Sequence, residues 1–283
     1  MRISAAAIGY YRESLDQIGQ QASGYVRDAV GSVGESAGVT AHREAAIGSL
    51  TESVAIHGEM AQALAAQLFE EVCEAEGLGY LPFEMVDGII DGAMVEEGVR
   101  YRARSLVDGD RDGFLDEVGQ LADFYARRSN WQSMAENCRR GGVRYARVPT
   151  GNETCDWCIM LASRGFVYWS EASAEHANHL NCDCVICPGG PSTTIDGYDP
   201  NALYDQWRSS GFMPPANARG GYRAKASDRN AAAASARAAI DSASSVGELA
   251  LVVDQLNATM RGQSRKTLQE LQDAIYRRRK ALG

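Results

Sequence analysis

The sequence predicts a mainly α-helical protein with a small cysteine-rich α+β module set between helical regions. Three observations predict it. Apolar residues recur at three-to-four-residue intervals over most of the first 138 residues. Strand-like alternation is nearly absent there. Five of the seven cysteines fall between Cys155 and Cys187.

The N-terminal region, 1–138, reads as successive helices over roughly 4–31, 41–74, 83–107 and 112–138. The clearest is 41–74, where Ile47, Leu50, Val54, Met60, Leu64 and Leu68 share one apolar face. His57 lies on that face and is expected to be buried and hydrogen-bonded rather than a ligand. Thr40 is a candidate cap, and Gly77 and Gly79 are candidate stops. The run Asp108-Gly109-Asp110-Arg111-Asp112-Gly113 has the acidic first, third and fifth positions and the glycine of a calcium loop. Its twelfth position is Gly119 where a bidentate Glu is required, so it reads as a turn between helices.

The central module, 139–192, has a different character. Val148-Pro149-Thr150-Gly151 is extended and then turns, and Gly165–Trp169 is a candidate short strand. This segment is too small and polar to build a large core alone, which is where a metal staple is useful. Residues 193–226 read as a proline-containing linker with a short helix near Asn201–Ser209. Residues 227–283 read as a helical hairpin: an Ala-rich run at 231–239, a face of Val246, Leu249, Val253, Leu256 and Met260, a stop at Gly262, and a continuation at Leu268, Leu271 and Ile275.

A net charge of -9 and a pI near 5.1 argue against a general nucleic-acid binder. The charge is uneven. Acids dominate from Glu44 to Glu97, whereas Arg139, Arg140, Arg144 and Arg147, and then Arg277–Lys280, are basic. Such runs are read either as solvated helix faces or as contacts to nucleic acid or an acidic partner. The first residues lack an apolar signal segment, and no run of about 18 apolar residues offers a membrane span. The expected setting is therefore a reducing cytosol during synthesis, where clustered cysteines fit metal binding better than a disulfide framework.

The cysteine spacing carries most of the chemistry. Cys155-Asp156-Trp157-Cys158 is a C-x-x-C, which puts two thiolates on one side of a tight turn. His179-Leu180-Asn181-Cys182-Asp183-Cys184 follows as H-x-x-C-x-C. Together they predict one structural zinc ion held by Cys155, Cys158, His179 and one or both of Cys182 and Cys184, because zinc favours four thiolate and imidazole ligands. His176 and Cys187 are possible substitutes in this set. Cys73 and Cys138 lie in helical sequence and are expected to be buried as small apolar residues. A redox dithiol would need a βαβ context that is missing, and nothing marks one cysteine as a nucleophile for His179.

Arg147-Val148-Pro149-x-Gly151, Cys155-x-x-Cys158-x-Met160-Leu161-Ala162-Ser163-Arg164-Gly165-x-Val167-Tyr168 and His179-x-x-Cys182-x-Cys184 closely resemble the minor capsid proteins of tailed phages. These are the head-morphogenesis proteins similar to protein F of phage Mu, in the versions from phages of actinobacteria. The shared block covers roughly residues 140–190. The resemblance implies a low-copy head component inside the capsid near the portal, made in the host cytoplasm and acting in head assembly or DNA packaging. The implied partners are the portal and the major capsid or scaffold proteins. Packaged DNA is a further candidate partner, reached through Arg139, Arg140, Arg144 and Arg147. Arg147, Pro149 and Gly151, and Arg164 and Gly165, match motif positions and are read as shaping turns.

Two other readings compete. One is a capsid maturation protease or other metal-dependent hydrolase, which would need an open metal position and a general base. No residue set in the sequence supplies these, so no enzymatic role is expected. The other is a zinc-ribbon-like nucleic-acid-binding protein using the arginine patch with Trp157, Tyr168 and Trp169.

Overall fold

The computed structural model describes residues 1–78, 81–151, 154–168, 184–190, 192–211, 226–260 and 265–282. The chain is mainly helical. Helices α1 (Ala5–Gly31), α2 (Gly38–Ala75) and α5 (Arg111–Gly141) pack on one another as a three-helix bundle. Ser4 caps α1 by accepting from the Ala7 backbone N–H. The α2 helix begins at Gly38, so Thr40 lies inside its first turn and is not its cap. At its other end Gly77 has φ +61, and the Leu78 N–H bonds back to the Cys73 carbonyl. That left-handed step closes the helix as glycine permits. Gly79 lies outside the described residues.

One sequence expectation is corrected between α2 and α5. The single helix expected over 83–107 is two shorter ones, α3 (Gly92–Arg102) and α4 (Arg104–Val107), preceded by an irregular segment. Asp91 starts α3 by accepting from the Met94 N–H at 2.8 Å. The irregular segment is held by two buried amide side chains acting as strand-like partners. Asn137 on α5 accepts from the Glu84 N–H and donates to the Glu84 carbonyl, both at 2.8 Å. Gln62 on α2 accepts from the Val86 N–H at 2.7 Å and donates to the Val86 carbonyl at 3.2 Å. Replacing Asn137 by Leu strands both Glu84 groups. The expected loss is about 2–3 kcal/mol of unfolding free energy in urea titration, against a negligible change for an exposed position such as Asn201.

The turn at Asp108–Gly113 forms as expected. Gly109 takes φ +80, and Asp110 caps α5 by accepting from the Gly113 N–H at 2.8 Å. His57 is buried on α2 with Nδ1 3.0 Å from the Ser53 hydroxyl.

After Gly142, which ends α5 in the left-handed region at φ +60, the chain enters β2 (Arg144–Pro149). It pairs antiparallel with β3 (Cys184–Gly189), from Arg144↔Gly189 to Pro149↔Cys184. The strand expected at Gly165–Trp169 is only an isolated bridge, Tyr168 to Tyr145, with Trp169 outside the described residues. Helix α6 (Asp156–Ala162) lies between the strands in sequence. A second small sheet joins β1 (Arg2–Ile3) in parallel to β4 (Thr194–Ile195), inside the stretch expected to be a linker. Helix α7 (Pro200–Ser210) follows and is capped by Asp199.

The central module does not build a core of its own. Tyr145, Val148, Met160, Leu161, Cys184 and Ile186 belong to the same buried cluster as Tyr11, Phe69, Trp131 and Cys138 of the helices. A second cluster fills the other end of the bundle around Leu50, Phe114 and Val118. The C-terminal part is three helices rather than a hairpin: α8 (Ala226–Ser242), α9 (Val246–Met260) and α10 (Arg265–Leu282). Ala236, Ile240, Leu249, Val253, Leu271 and Ile275 close together between them. No helix among the described residues is long and apolar enough to cross a membrane.

Candidate metal centre

The β2–β3 ladder sorts the chemistry onto two faces, because side chains alternate along a strand and directly paired residues share a face. Arg147 and Pro149 share one face with their partners Ile186 and Cys184. Arg144, Ala146 and Val148 share the other with Gly189, Cys187 and Val185.

On the first face, the chain leaves β2 at Pro149, opposite Cys184, and enters α6 six residues later at Cys155. Cys155 is the N-cap of α6. Its backbone is extended, and its sulfur accepts from the Cys158 N–H at 3.5 Å. The C-x-x-C pair therefore occupies one helical turn, as the spacing predicts. Cys155 is exposed, whereas Cys158 and Cys184 are buried. Arg147 is buried, and its Nη2 lies 4.0 Å from the Cys158 sulfur, a positive charge beside an atom that would carry thiolate charge as a ligand. Sequence reasoning assigned Arg147 to shaping a turn and to a basic patch that could meet DNA, not to the neighbourhood of Cys158. Of the three described candidates, Cys155 and Cys158 lie on one turn of α6, and Cys184 opens β3 opposite Pro149. His179 and Cys182 lie outside the described residues, as does His176. Among the described residues no group of three or more Cys, His, Asp or Glu side chains is arranged to hold a metal.

Cys187 cannot stand in for Cys184. It points to the opposite face, is fully buried, and its thiol donates to the Pro188 carbonyl at 3.5 Å. There it joins Cys73 of α2 and Cys138 of α5, a convergence the sequence reading missed. The available signal was the β-branched pair Val185-Ile186, which marks a strand and so fixes the opposite parity of positions 184 and 187. Burial pushes the Cys73 thiol up to about 12 and those of Cys138 and Cys187 well above the ordinary range. All three stay protonated at neutral pH and act as packing, as expected for Cys73 and Cys138.

The arginine run before the cysteines does not form a solvated patch. Arg144 and Arg147 are 3% and 1% exposed, on opposite faces of β2. Arg139 is paired with Glu136, and Arg140 with Glu84. Any nucleic-acid contact from this run would fall to Arg139 and Arg140 alone, in competition with those carboxylates. The C-terminal run is also divided. Arg277 and Lys280 are exposed, Arg278 donates to the Ala243 carbonyl, and Arg279 is buried.

Comparison with known proteins points to a phage protein family. The Gene 15 protein of Mycobacterium phage D29 is 34% identical over 74 residues, taking in 16% of this chain and 27% of that protein. The match thus spans only about a quarter of the relative's length. No solved structure matches the chain. The family described as VG15 protein matches residues 2–210, from β1 through the bundle and the cysteine-bearing module to the end of α7. The chain therefore belongs to the VG15 protein family, a family of phage proteins.

Proposed function

We propose that the chain is a structural minor head protein of a tailed phage, similar to protein F of phage Mu, acting in capsid assembly or DNA packaging near the portal. The observation that carries this reading is the match to a phage protein family over 2–210, which takes in both the helical bundle and the cysteine block. The portal and the major capsid or scaffold proteins are its partners, and it resides inside the capsid after synthesis in the host cytoplasm. A closed structural zinc, held by Cys155, Cys158, His179 and one or both of Cys182 and Cys184, fixes the cysteine-bearing module. What supports the zinc reading is the C-x-x-C on one turn of α6, with Cys184 at the start of β3 opposite Pro149. A ligand set of four thiolates and imidazoles leaves no open position for chemistry, so the role is structural.

The test is direct. Quantitative mass spectrometry of purified procapsids and mature heads should find the protein at a fixed low copy number. Deletion of its gene should give heads that package DNA poorly or fail to assemble. Its absence from both particles, or normal titre and normal packaged heads after deletion, would sink the reading.

A further inference from the structure

The opposite face of the ladder carries a second, unrelated feature. Where α10 crosses the start of β2, a cavity of about 10 Å³ is lined by Arg144 and Arg279 together with Val143, Gly190 and Tyr276. That is space for one water-sized or slightly larger particle. The packing that makes it is close, since a Cβ on Gly190 would stand 3.1 Å from the Tyr276 ring.

The buried side-chain atoms without a partner here are all donors. Arg279 is 2% exposed, and its Nε and Nη2 have no hydrogen-bond partner among the described residues. Arg144 is 3% exposed. Its Nη1 donates to the Gln272 side-chain oxygen at 2.8 Å, which leaves its Nη2 without a partner. The Gln272 amide nitrogen is buried without one too. Buried donors normally find acceptors, and buried charges normally find counter-charges. The nearby acids do not serve both arginines. Asp273 and Glu76 act on Arg144, but Glu76 is already committed to the N-terminal ammonium at 2.6 Å and to the hydroxyls of Ser192 and Thr193. Around Arg279 the groups among the described residues that act on its charge are the thiols of Cys73 and Cys138.

We propose that this cavity is a binding site for one small inorganic anion of chloride size, which accepts from Arg144 and Arg279 and clamps α10 onto the β2–β3 ladder. Two guanidiniums around a single-atom cavity provide the charge, and their three unpartnered donor nitrogens provide the coordination. Larger anions such as gluconate are excluded by volume. The site depends neither on the metal nor on the assignment to a phage head.

Two measurements test it on the full chain. Crystals grown in bromide should show an anomalous peak in the cavity within hydrogen-bonding distance of both guanidiniums. Thermal unfolding at fixed ionic strength should rise by several degrees when chloride or bromide replaces gluconate, and level off as one site saturates. Arg279→Met should abolish that saturable rise. A water in place of bromide, an equal Tm in chloride and gluconate, or an unchanged chloride response in R279M would each overturn the proposal. If R279M does not fold, the anomalous peak in the wild-type protein decides alone.

Discussion

Trp131→Ala is expected to lower the unfolding free energy by about 3–5 kcal/mol and to weaken the helical bundle and the central module together. Trp131 lies on α5, is 1% exposed, and belongs to the cluster that joins α2 and α5 to β2, α6 and β3. Truncation removes a large apolar surface and leaves a cavity between elements too constrained to collapse into it. One partial relief holds the loss within that range, because the Trp131 indole nitrogen is buried without a hydrogen-bond partner. The check is urea unfolding followed in parallel by far-UV circular dichroism, which reports the helices, and near-UV signals, which report packed aromatic rings. Both transitions should move to lower urea together. Two separated transitions would show that the module is held by something other than this core.

Removal of the proposed zinc is expected to be the second large effect. One zinc per chain is expected by elemental analysis. Chelation, or Cys158→Ser, should remove it and lower the Tm by more than about 10 °C, since structural zinc binding is folding free energy. The size follows from position. Cys158 and Cys184 are buried members of the shared core, so releasing their anchor exposes surface the bundle also uses. Cys187→Ala is the informative control. Its sulfur lies on the opposite face of β3, so the variant should keep full zinc content. A zinc-free protein with an unchanged Tm, or zinc loss in C187A, would refute the ligand set.

What the sequence made legible was decided by contrast. The helices α1, α2 and α5 carry strong apolar stripes at helical spacing, and their extents fell within a few residues of expectation. The segment before α3 was misread because Phe83, Val86, Ile89 and Ile90 are apolar and suitably spaced. What overrides that pattern is long-range, the buried amides of Gln62 and Asn137, which no local window contains. In α8 the run 231–239 was read as helix-forming, but its packing stripe includes Ala236, whose low contrast against an Ala-rich background gave no sign that it packs as a third helix.

At the candidate site, the C-x-x-C turn was legible because four residues suffice to set it. The burial of Arg144 and Arg147 was not. A run of arginines looks solvated until a strand is recognised, after which positions 144 and 147 must face opposite ways and each meets a different layer. The same parity separates Cys184 from Cys187. For both pairs the missing information was one short strand.

The parallel pairing of β1 with β4 has a consequence for biosynthesis. Arg2 reaches Asp196, 194 residues further along. At roughly 5–20 residues per second on a ribosome, the first strand waits on the order of 10–40 s for its partner to be made. During that interval Ile3, buried at 3% in the finished fold, has nothing from β4 to cover it. Until then α1 is held by its contacts with α2 and α5 and by its share of the core with β2. Engagement of the N-terminal strand is a late event, completed only after most of the family-matched region has been synthesised.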